Sequence, residues 1–384
     1  MDIYEELGVK KIINCAGTYT VVGGSRMSEA SMAAMNEAAR SHVVIEELQK
    51  AVYTRVAQLT RNEAACITSG AMAGIYLTIA SCISMRYKKL FKYIAKERAQ
   101  ESEVIMFRAH RNPYDRGLEI LGVKVVELGY PNNISVVTSE EFENAITEKT
   151  VAVLYLPSCK GGWVPPGALD FKSTLHIAQK YNVPVIVDAA AQLPPKSNLW
   201  MFTEAGASAA IFSGGKDLKG PQTTGLVLGK RELLQWVEAN NFPKYGIGRM
   251  HKVGREELSG IYMAVKQYVE NDEMARREEC EKIVAQYVEA FAEDDCFHFE
   301  RSWPNEAGQP IPRAKMVITA ANLVPKQLEA MLAQNERSIF VISENGSIYI
   351  NPMTIDYQEA LYVLFVLKRL NEGMKNYEIN NNAK

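Results

Sequence analysis

Short apolar runs alternate with amphipathic stretches through the middle of this 384-residue chain. The runs Ala64–Thr68, Val104–Phe107, Val123–Glu127, Val151–Leu156, Val185–Asp188, Ala209–Phe212 and Leu226–Leu228 are nearly continuous in aliphatic residues. Such runs predict strands buried on both faces. Segments with helical periodicity separate most of them, at 73–85, 114–121, 139–147 and 170–181. Alternation of this kind predicts an α/β domain with a mostly parallel sheet covered by helices. Ahead of it, residues 1–45 are turn-rich, with Gly17, Gly23 and Gly24, and read as an N-terminal arm. Ser28-Glu29 can open a helix there, and Ala33, Ala34, Ala38 and Ala39 suit its interior. Helical periodicity then resumes at Ile45-Leu48-Val52-Val56-Leu59.

Near Gly254 the pattern changes. A long helical region runs from Glu256 to about Glu293, followed by strands near Phe297–Glu300 and Lys315–Thr319 and a helix near 325–334. Strands near Ile339–Ser343 and Ser347–Ile350 and a helix from about Tyr357 to Asn371 complete a smaller α+β domain. The expected division is an arm at 1–45, a large α/β domain at 46–254 and a small C-terminal α+β domain at 255–384.

Composition narrows the function classes. The chain is 47% hydrophobic and 23% charged, with net charge −2. That balance is globular and argues against nucleic acid or an anionic membrane as a partner. A local basic stretch at 86–102 (Arg86, Lys88, Lys89, Lys92, Lys96, Arg98) reads as a solvated helix face. The six cysteines form no CxxC pair and read as reduced thiols of a cytoplasmic protein. Cys159, in the loop Pro157-Ser158-Cys159-Lys160, has no evident partner base. The acidic start Met1-Asp2-Ile3-Tyr4-Glu5-Glu6 has no apolar core of a secretory signal, and no run reaches the ~18 residues that span a bilayer. No HExxH or HxxxH spacing is present, so no metal site is expected.

The chemistry concentrates around Lys216, in Ser213-Gly214-Gly215-Lys216-Asp217-Leu218-Lys219-Gly220-Pro221-Gln222, directly after an apolar run. A second run, Val183 to Val187, ends in Asp188. A strand-end lysine and a strand-end aspartate suit pyridoxal phosphate, which needs a lysine for its Schiff base and an acid for its pyridine nitrogen. The phosphate would need backbone N–H groups at a helix N-terminus, and Thr68-Ser69-Gly70-Ala71-Met72-Ala73-Gly74 supplies small residues at a strand-to-helix turn. His110 follows a strand and is placed to lie against the ring, and Ser213 can give its hydroxyl to the phosphate. Each signal has a plainer reading. The turn at 68–74 is common in such sheets, Asp188 could cap the following Ala189-Ala190-Ala191, and Lys216 or Lys219 could be a surface lysine in a turn.

The ordered set Phe212-Ser213-Gly214-Gly215-Lys216, Gly220-Pro221-Gln222 and Gly225 resembles the cofactor-lysine motif of bacterial selenocysteine synthase, a fold type I pyridoxal-phosphate enzyme. Ile12-Ile13-Asn14-Cys15-Ala16-Gly17-Thr18 and Gly248-Arg249-Met250-His251-Lys252-Val253-Gly254-Arg255 are similar to further parts of it. There are departures. That transferase carries an extra N-terminal tRNA-binding domain, while here the catalytic-type region starts within the first dozen residues. It has an aspartate where this chain has Gly215, and an arginine where this chain has Lys252. The segments Asn14–Thr20, Gly23-Gly24-Ser25-Arg26-Met27-Ser28, Glu47-Leu48-Gln49 and Thr68–Ala71 look closer to the D-glucosaminate-6-phosphate ammonia-lyase group.

The resemblance implies an aspartate aminotransferase-like fold and a homodimer or higher homo-oligomer. It implies an ammonia-lyase that converts a phosphorylated 2-amino-3-hydroxy sugar acid to a 2-keto-3-deoxy acid. Lys216 and Asp188 would be catalytic, and Ser69, Gly70, Ala71, Met72, His110 and Ser213 would bind the cofactor. Candidates for the substrate phosphate are Arg249, Lys252 and Arg255, or Arg26 on the arm. Arg313 and Arg337 are candidates for its carboxylate. Rival readings are a selenocysteine synthase-like transferase, a sulfur amino-acid β-lyase, an amino-acid racemase and an inactive scaffold.

Overall fold

The computed structural model describes residues 2–130, 135–157, 167–320 and 323–382; the loop that carries Cys159 lies outside them. The chain forms two compact units. One is Ser25–Asn271 with Ala307–Gln309, and the other is Met1–Gly24, Asp272–Glu306 and Pro310–Lys384.

The larger unit is built on a seven-stranded sheet. Its spatial order is Ala64–Thr68, Gly225–Gly229, Ala209–Ser213, Val185–Asp188, Thr150–Tyr155, Glu103–Phe107 and Lys124–Leu128. Gly225–Gly229 runs antiparallel to both neighbours, and the other pairings are parallel. Thr150–Tyr155, Val185–Asp188 and Gly225–Gly229 are buried at every position, as continuous apolar runs require when helices cover both faces. All seven expected strands are present, each within a residue or two of its expected ends.

The helix Ala71–Tyr87 is buried continuously from Ala73 to Ser84. Its sequence has no charge before Arg86, so it is apolar all round and sits inside rather than on a surface. Gly74 brings it close to the sheet, since a Cβ there would lie 2.9 Å from Ile211 Cγ2. The basic residues between 86 and 98 are all exposed, but they lie on the end of one helix, a connection, a 3-10 turn and a second short helix rather than on one helix face.

The division into units differs from the expected one at both ends. The helix Arg255–Glu270 packs on Glu29–Ala39 and Ile45–Leu59, so it belongs with the sheet, and the boundary falls after Asn271 rather than Gly254. The single helical region expected from Glu256 to Glu293 is two helices. Asp272 Oδ1 accepts the N–H groups of Met274 (2.9 Å) and Ala275 (3.1 Å), starting the second helix, Glu273–Ala290. At the other end the first residues are not part of one continuous arm. Ile12–Asn14 forms a strand paired in parallel with Ser338–Phe340 of the smaller unit. Three residues carry too little periodicity to signal such a pairing.

The smaller unit also holds a four-stranded antiparallel sheet in the order Ile342–Glu344, Ser347–Ile350, Arg313–Ile318, Phe297–Ser302. The run Ile339–Ser343, expected as one strand, divides at Val341 between two sheets. Helices Glu273–Ala290, Pro325–Gln334 and Tyr357–Asn382 belong to the same unit, and Tyr287, Phe291, Phe297, Phe299, Met316 and Ile348 anchor its core. Among the described residues no helix is long and apolar enough to cross a membrane, and no group of acidic, His and Cys side chains could hold a metal ion.

Candidate active site

Asp188 ends its strand in register with Ile211, and the adjacent strand Ala209–Ser213 leads directly to Lys216. The topology therefore places the two groups at the same, carboxyl end of neighbouring parallel strands, where open α/β sheets bind ligands. Burial pushes the Asp188 carboxyl above the ordinary carboxylate value. The N–H of Ala190 at 3.1 Å and the Lys216 charge pull it back, and the Asp115 carboxylate adds to the rise. A buried acid of this kind favours a cationic partner.

The lysine turn is held tightly. The Gly214 N–H donates to Thr224 O (2.8 Å), the Gly220 N–H to Gly214 O (2.9 Å) and the Lys219 N–H to Lys216 O (3.0 Å). Gly214 and Gly215 leave no room for side chains: a Cβ would meet Thr224 Oγ1 at 2.0 Å and Gln222 Cα at 2.6 Å respectively. Lys216 is half-buried and Lys219 is exposed, which favours Lys216 as the functional amine. Ser213 ends its strand half-buried.

His110 is buried at 1% exposure and stands edge-on to Tyr155, with ring centroids 4.6 Å apart. The Leu156 N–H donates to His110 Nδ1 at 3.2 Å, so the ring proton of the neutral imidazole is on Nε2. That Nε2 is buried without a partner, and burial lowers the His110 pKa to about 4.

The helix Ala71–Tyr87 begins at Gly70 (φ +90°) with no side-chain cap on its first amides. Ser69, Gly70 and Ala71 are partly exposed and Met72 is exposed. Gly225 lies opposite Thr68 in the sheet, and the backbone of Gly70 packs against it. The turn thus offers uncapped, positively polarised N–H groups.

These residues fit pyridoxal phosphate. The buried acid can face the pyridine nitrogen, the His110 imidazole can face the ring, the uncapped helix start can take the phosphate, and Lys216 can take the aldehyde.

The expected basic cluster separates. Arg255 donates through Nε to Ala38 O (2.9 Å) and through a terminal nitrogen to Ala39 O (3.1 Å), and it pairs with Glu256. It closes the C-terminal end of the helix Glu29–Ala39, which is a structural task and removes it from the phosphate candidates. Arg249, Lys252 and Arg26 are exposed. Arg249 lies over the rings of Phe242 and Tyr245. In the smaller unit, Arg313 is buried between Glu306 (3.0 Å) and Glu344 (3.4 Å), lies 4.0 Å from the centroid of Tyr349, and keeps Nε without a partner. Arg337 stacks on Tyr362 instead.

Three residues that hold the lysine turn, one on it and two from elsewhere, carry no signal in the sequence pattern. Ser25 hydrogen-bonds the carbonyls of Gly215 and Lys216, and buried Asp217 accepts from the Tyr268 hydroxyl at 2.6 Å. Their partners lie 190 and 51 residues away, so no local pattern announces them.

Together, the sheet order, the smaller antiparallel unit and the strand-end lysine and aspartate define a fold type I pyridoxal-phosphate enzyme. The chain belongs to the L-seryl-tRNA selenium transferase family, whose model matches residues 12–295. It is 28% identical to the D-glucosaminate-6-phosphate ammonia lyase of Salmonella typhimurium, over 97% of this chain and 98% of that protein. A solved structure of D-glucosaminate-6-phosphate ammonia-lyase superimposes with a TM-score of 0.80 at 27% identity, covering 97% of this chain and 99% of that one. A 5'-C-glycyluridine monooxygenase-decarboxylase from a Streptomyces species is 30% identical over 72% of this chain and 67% of that protein. Pyridoxal phosphate is the cofactor that the family implies.

Proposed function

We propose that this enzyme is a pyridoxal-phosphate-dependent ammonia-lyase. It converts a phosphorylated 2-amino-3-hydroxy sugar acid, of the D-glucosaminate-6-phosphate kind, to a 2-keto-3-deoxy acid and ammonia. The observation that carries the reading is the Asp188–Lys216 pair, in a chain similar over nearly its whole length to an ammonia lyase. When bound, the cofactor supplies an electron sink for the pair left as the Cα–H bond breaks.

The chain's own groups divide the remaining work. Lys216 would hold the cofactor through Nζ and, once displaced by the substrate amine, take the α-proton on that atom. Asp188 would keep the pyridine nitrogen protonated, and His110 would lie against the ring. The amides of Gly70, Ala71 and Met72, with the hydroxyls of Ser69 and Ser213, would take the cofactor phosphate. Nζ would then give that proton to the departing β-hydroxyl, which would leave as water as the C–O bond breaks and the Cα–H electron pair forms the carbon–carbon double bond. Tautomerisation and hydrolysis of the resulting enamine consume one water and release ammonia, so substrate equals keto acid plus ammonia.

Exposed Arg249, Lys252 and Arg26 are the proposed holders of the substrate phosphate, since a dianion needs cationic partners. Of the two arginines considered for the carboxylate, Arg313 is already paired with Glu306 and Glu344 and Arg337 stacks on Tyr362, so neither is assigned that role. We take the protein to be a homo-oligomer, as the resemblance implies, and, from its cysteine usage and charge, to work in the cytoplasm on a small-molecule substrate with no nucleic-acid partner.

The test is release of keto acid and ammonia across a panel of D- and L-amino acids and aminosugar acids, with and without phosphate. Turnover of phosphorylated 2-amino-3-hydroxy acids supports the reading, and turnover of none of them removes it. Likeness to the monooxygenase-decarboxylase favours a second reading, oxidative decarboxylation, which oxygen uptake and carbon dioxide release would reveal in the same panel.

A further inference from the structure

The segment Gly23-Gly24-Ser25-Arg26-Met27-Ser28 does more than lead into a helix. The Ser25 N–H donates to Gly215 O at 3.0 Å. The Ser25 hydroxyl lies 2.5 Å from Lys216 O and 3.0 Å from Gly215 O; its single proton serves one acceptor at a time, and the shorter contact favours Lys216. Three residues on, the Ser28 N–H donates to Lys219 O at 3.2 Å, and the Ser28 hydroxyl donates to Gln267 Oε1 at 2.6 Å. Ser28 Oγ also accepts the Ser31 N–H at 3.2 Å as the cap of the helix Glu29–Ala39. One short stretch therefore grips three carbonyls of the lysine turn and is itself fixed to the helices Glu29–Ala39 and Arg255–Glu270. On another side of the turn, the Asp217 carboxylate is fixed by Tyr268 of that last helix.

We propose that Ser25 is a positioning residue for Lys216: its hydroxyl fixes the Lys216 carbonyl so that the amine returns to one place after each release. The inference rests on the functional reading above and deepens it. A lysine side chain has four rotatable bonds, and in that reading it must leave the cofactor, take a proton and come back in every turnover. Anchoring at its own peptide limits the volume that Nζ explores, which raises its effective concentration at the reacting carbon. Lys216 O keeps one turn hydrogen bond, from the Lys219 N–H, when the Ser25 hydroxyl is removed. The turn then survives while its peptide loses the second restraint. The predicted loss is thus in the behaviour of the amine, not in the fold.

The experiment uses full-length apo-protein of the wild type and of Ser25→Ala, Ser25→Thr and Ser25→Val, mixed with pyridoxal phosphate. Stopped-flow absorbance reads the rate of covalent attachment, and pH titration of the bound band reads the ionisation of the linkage. Ser25→Ala and Ser25→Val should attach cofactor about tenfold or more slowly, with a displaced ionisation, while Ser25→Thr restores both. Hydrogen exchange of residues 214–220 in the apo-protein should quicken in the same two variants. Thr and Val match in shape, so a difference between them isolates the hydroxyl even if Ser25→Ala misfolds. Equal rates and equal ionisation in the Thr and Val variants overturn the proposal. Wild-type protein that forms no linkage at Lys216 overturns the functional reading, and this inference with it.

Discussion

Gly225 and Gly70 touch backbone to backbone. A Cβ on Gly225 would lie 2.4 Å from the Gly70 carbonyl carbon, 2.5 Å from its oxygen and 2.7 Å from the Ala71 nitrogen. The strand Gly225–Gly229 is thus the floor on which the start of the helix Ala71–Tyr87 rests, and the proposed phosphate site depends on a missing side chain on another strand. None of the three atoms belongs to a flexible side chain, so Gly225→Ala must shift the helix start. The expected outcome is a loss of about 1–3 kcal/mol in apo-protein stability, typical of overpacking. Pyridoxal phosphate should also bind at least tenfold more weakly. Denaturant melts and a fluorescence titration with the cofactor check both.

His110 gives a pH dependence of defined sign. Burial lowers its folded-state pKa to about 4 from an ordinary 6.5. Between those values the unfolded chain binds the proton and the folded chain does not, so stability is full above about pH 6.5 and falls as pH drops toward 4. The loss is up to about 3 kcal/mol. Asp188, raised by burial, contributes with the opposite slope, so the comparison must be made against a variant that keeps it. His110→Phe should therefore lose less stability than wild type between pH 6.5 and 4, measured by urea unfolding of the apo-proteins. Parallel curves would show that His110 does not titrate this way.

Lys216 and Asp188 should separate in their effects. Lys216→Ala abolishes the covalent label left by borohydride and cofactor, read by mass spectrometry of the digest. Asp188→Asn keeps the label on Lys216, but activity falls by about 10²–10⁴, as expected when a buried charge partner worth 3–5 kcal/mol is removed. A label on Lys219 or elsewhere in Asp188→Asn or wild type would refute the assignment of the amine.

Arg255 and Arg249 stand six residues apart and should behave differently. Arg255→Ala removes two hydrogen bonds to the end of the helix Glu29–Ala39 and should cost about 1–3 kcal/mol of stability, seen in a thermal melt. Arg249→Ala should leave the melt within about 0.5 kcal/mol and raise KM for a phosphorylated substrate, while an unphosphorylated analogue is unaffected. Equal KM changes for both substrates would take Arg249 out of the phosphate site.

The local frame of the proposed site was legible in pattern alone. The strands ending at Asp188 and Ser213 are continuous apolar runs, and Lys216 follows one on a glycine turn whose small residues the close packing demands. The division between units was less legible. The helix Arg255–Glu270 has the same amphipathic look whichever sheet it covers, and only its packing on Glu29–Ala39 decides its membership. Arg255 looked like a phosphate ligand because it stands beside Arg249 and Lys252 in sequence, but the carbonyls it serves belong to residues 38 and 39.

The amino-acid sequence by itself determined the alternation of strands and helices, the lysine turn and the strand-end aspartate, because these depend on neighbours within a few residues. Tertiary structure alone decided that Ser25 grips the Lys216 carbonyl, that Gly225 lies under Gly70 and that Ile12–Asn14 pairs with Ser338–Phe340. Each of these joins groups more than 150 residues apart. Such contacts are set by how the whole chain closes around its cores, and no window of periodicity reaches that far.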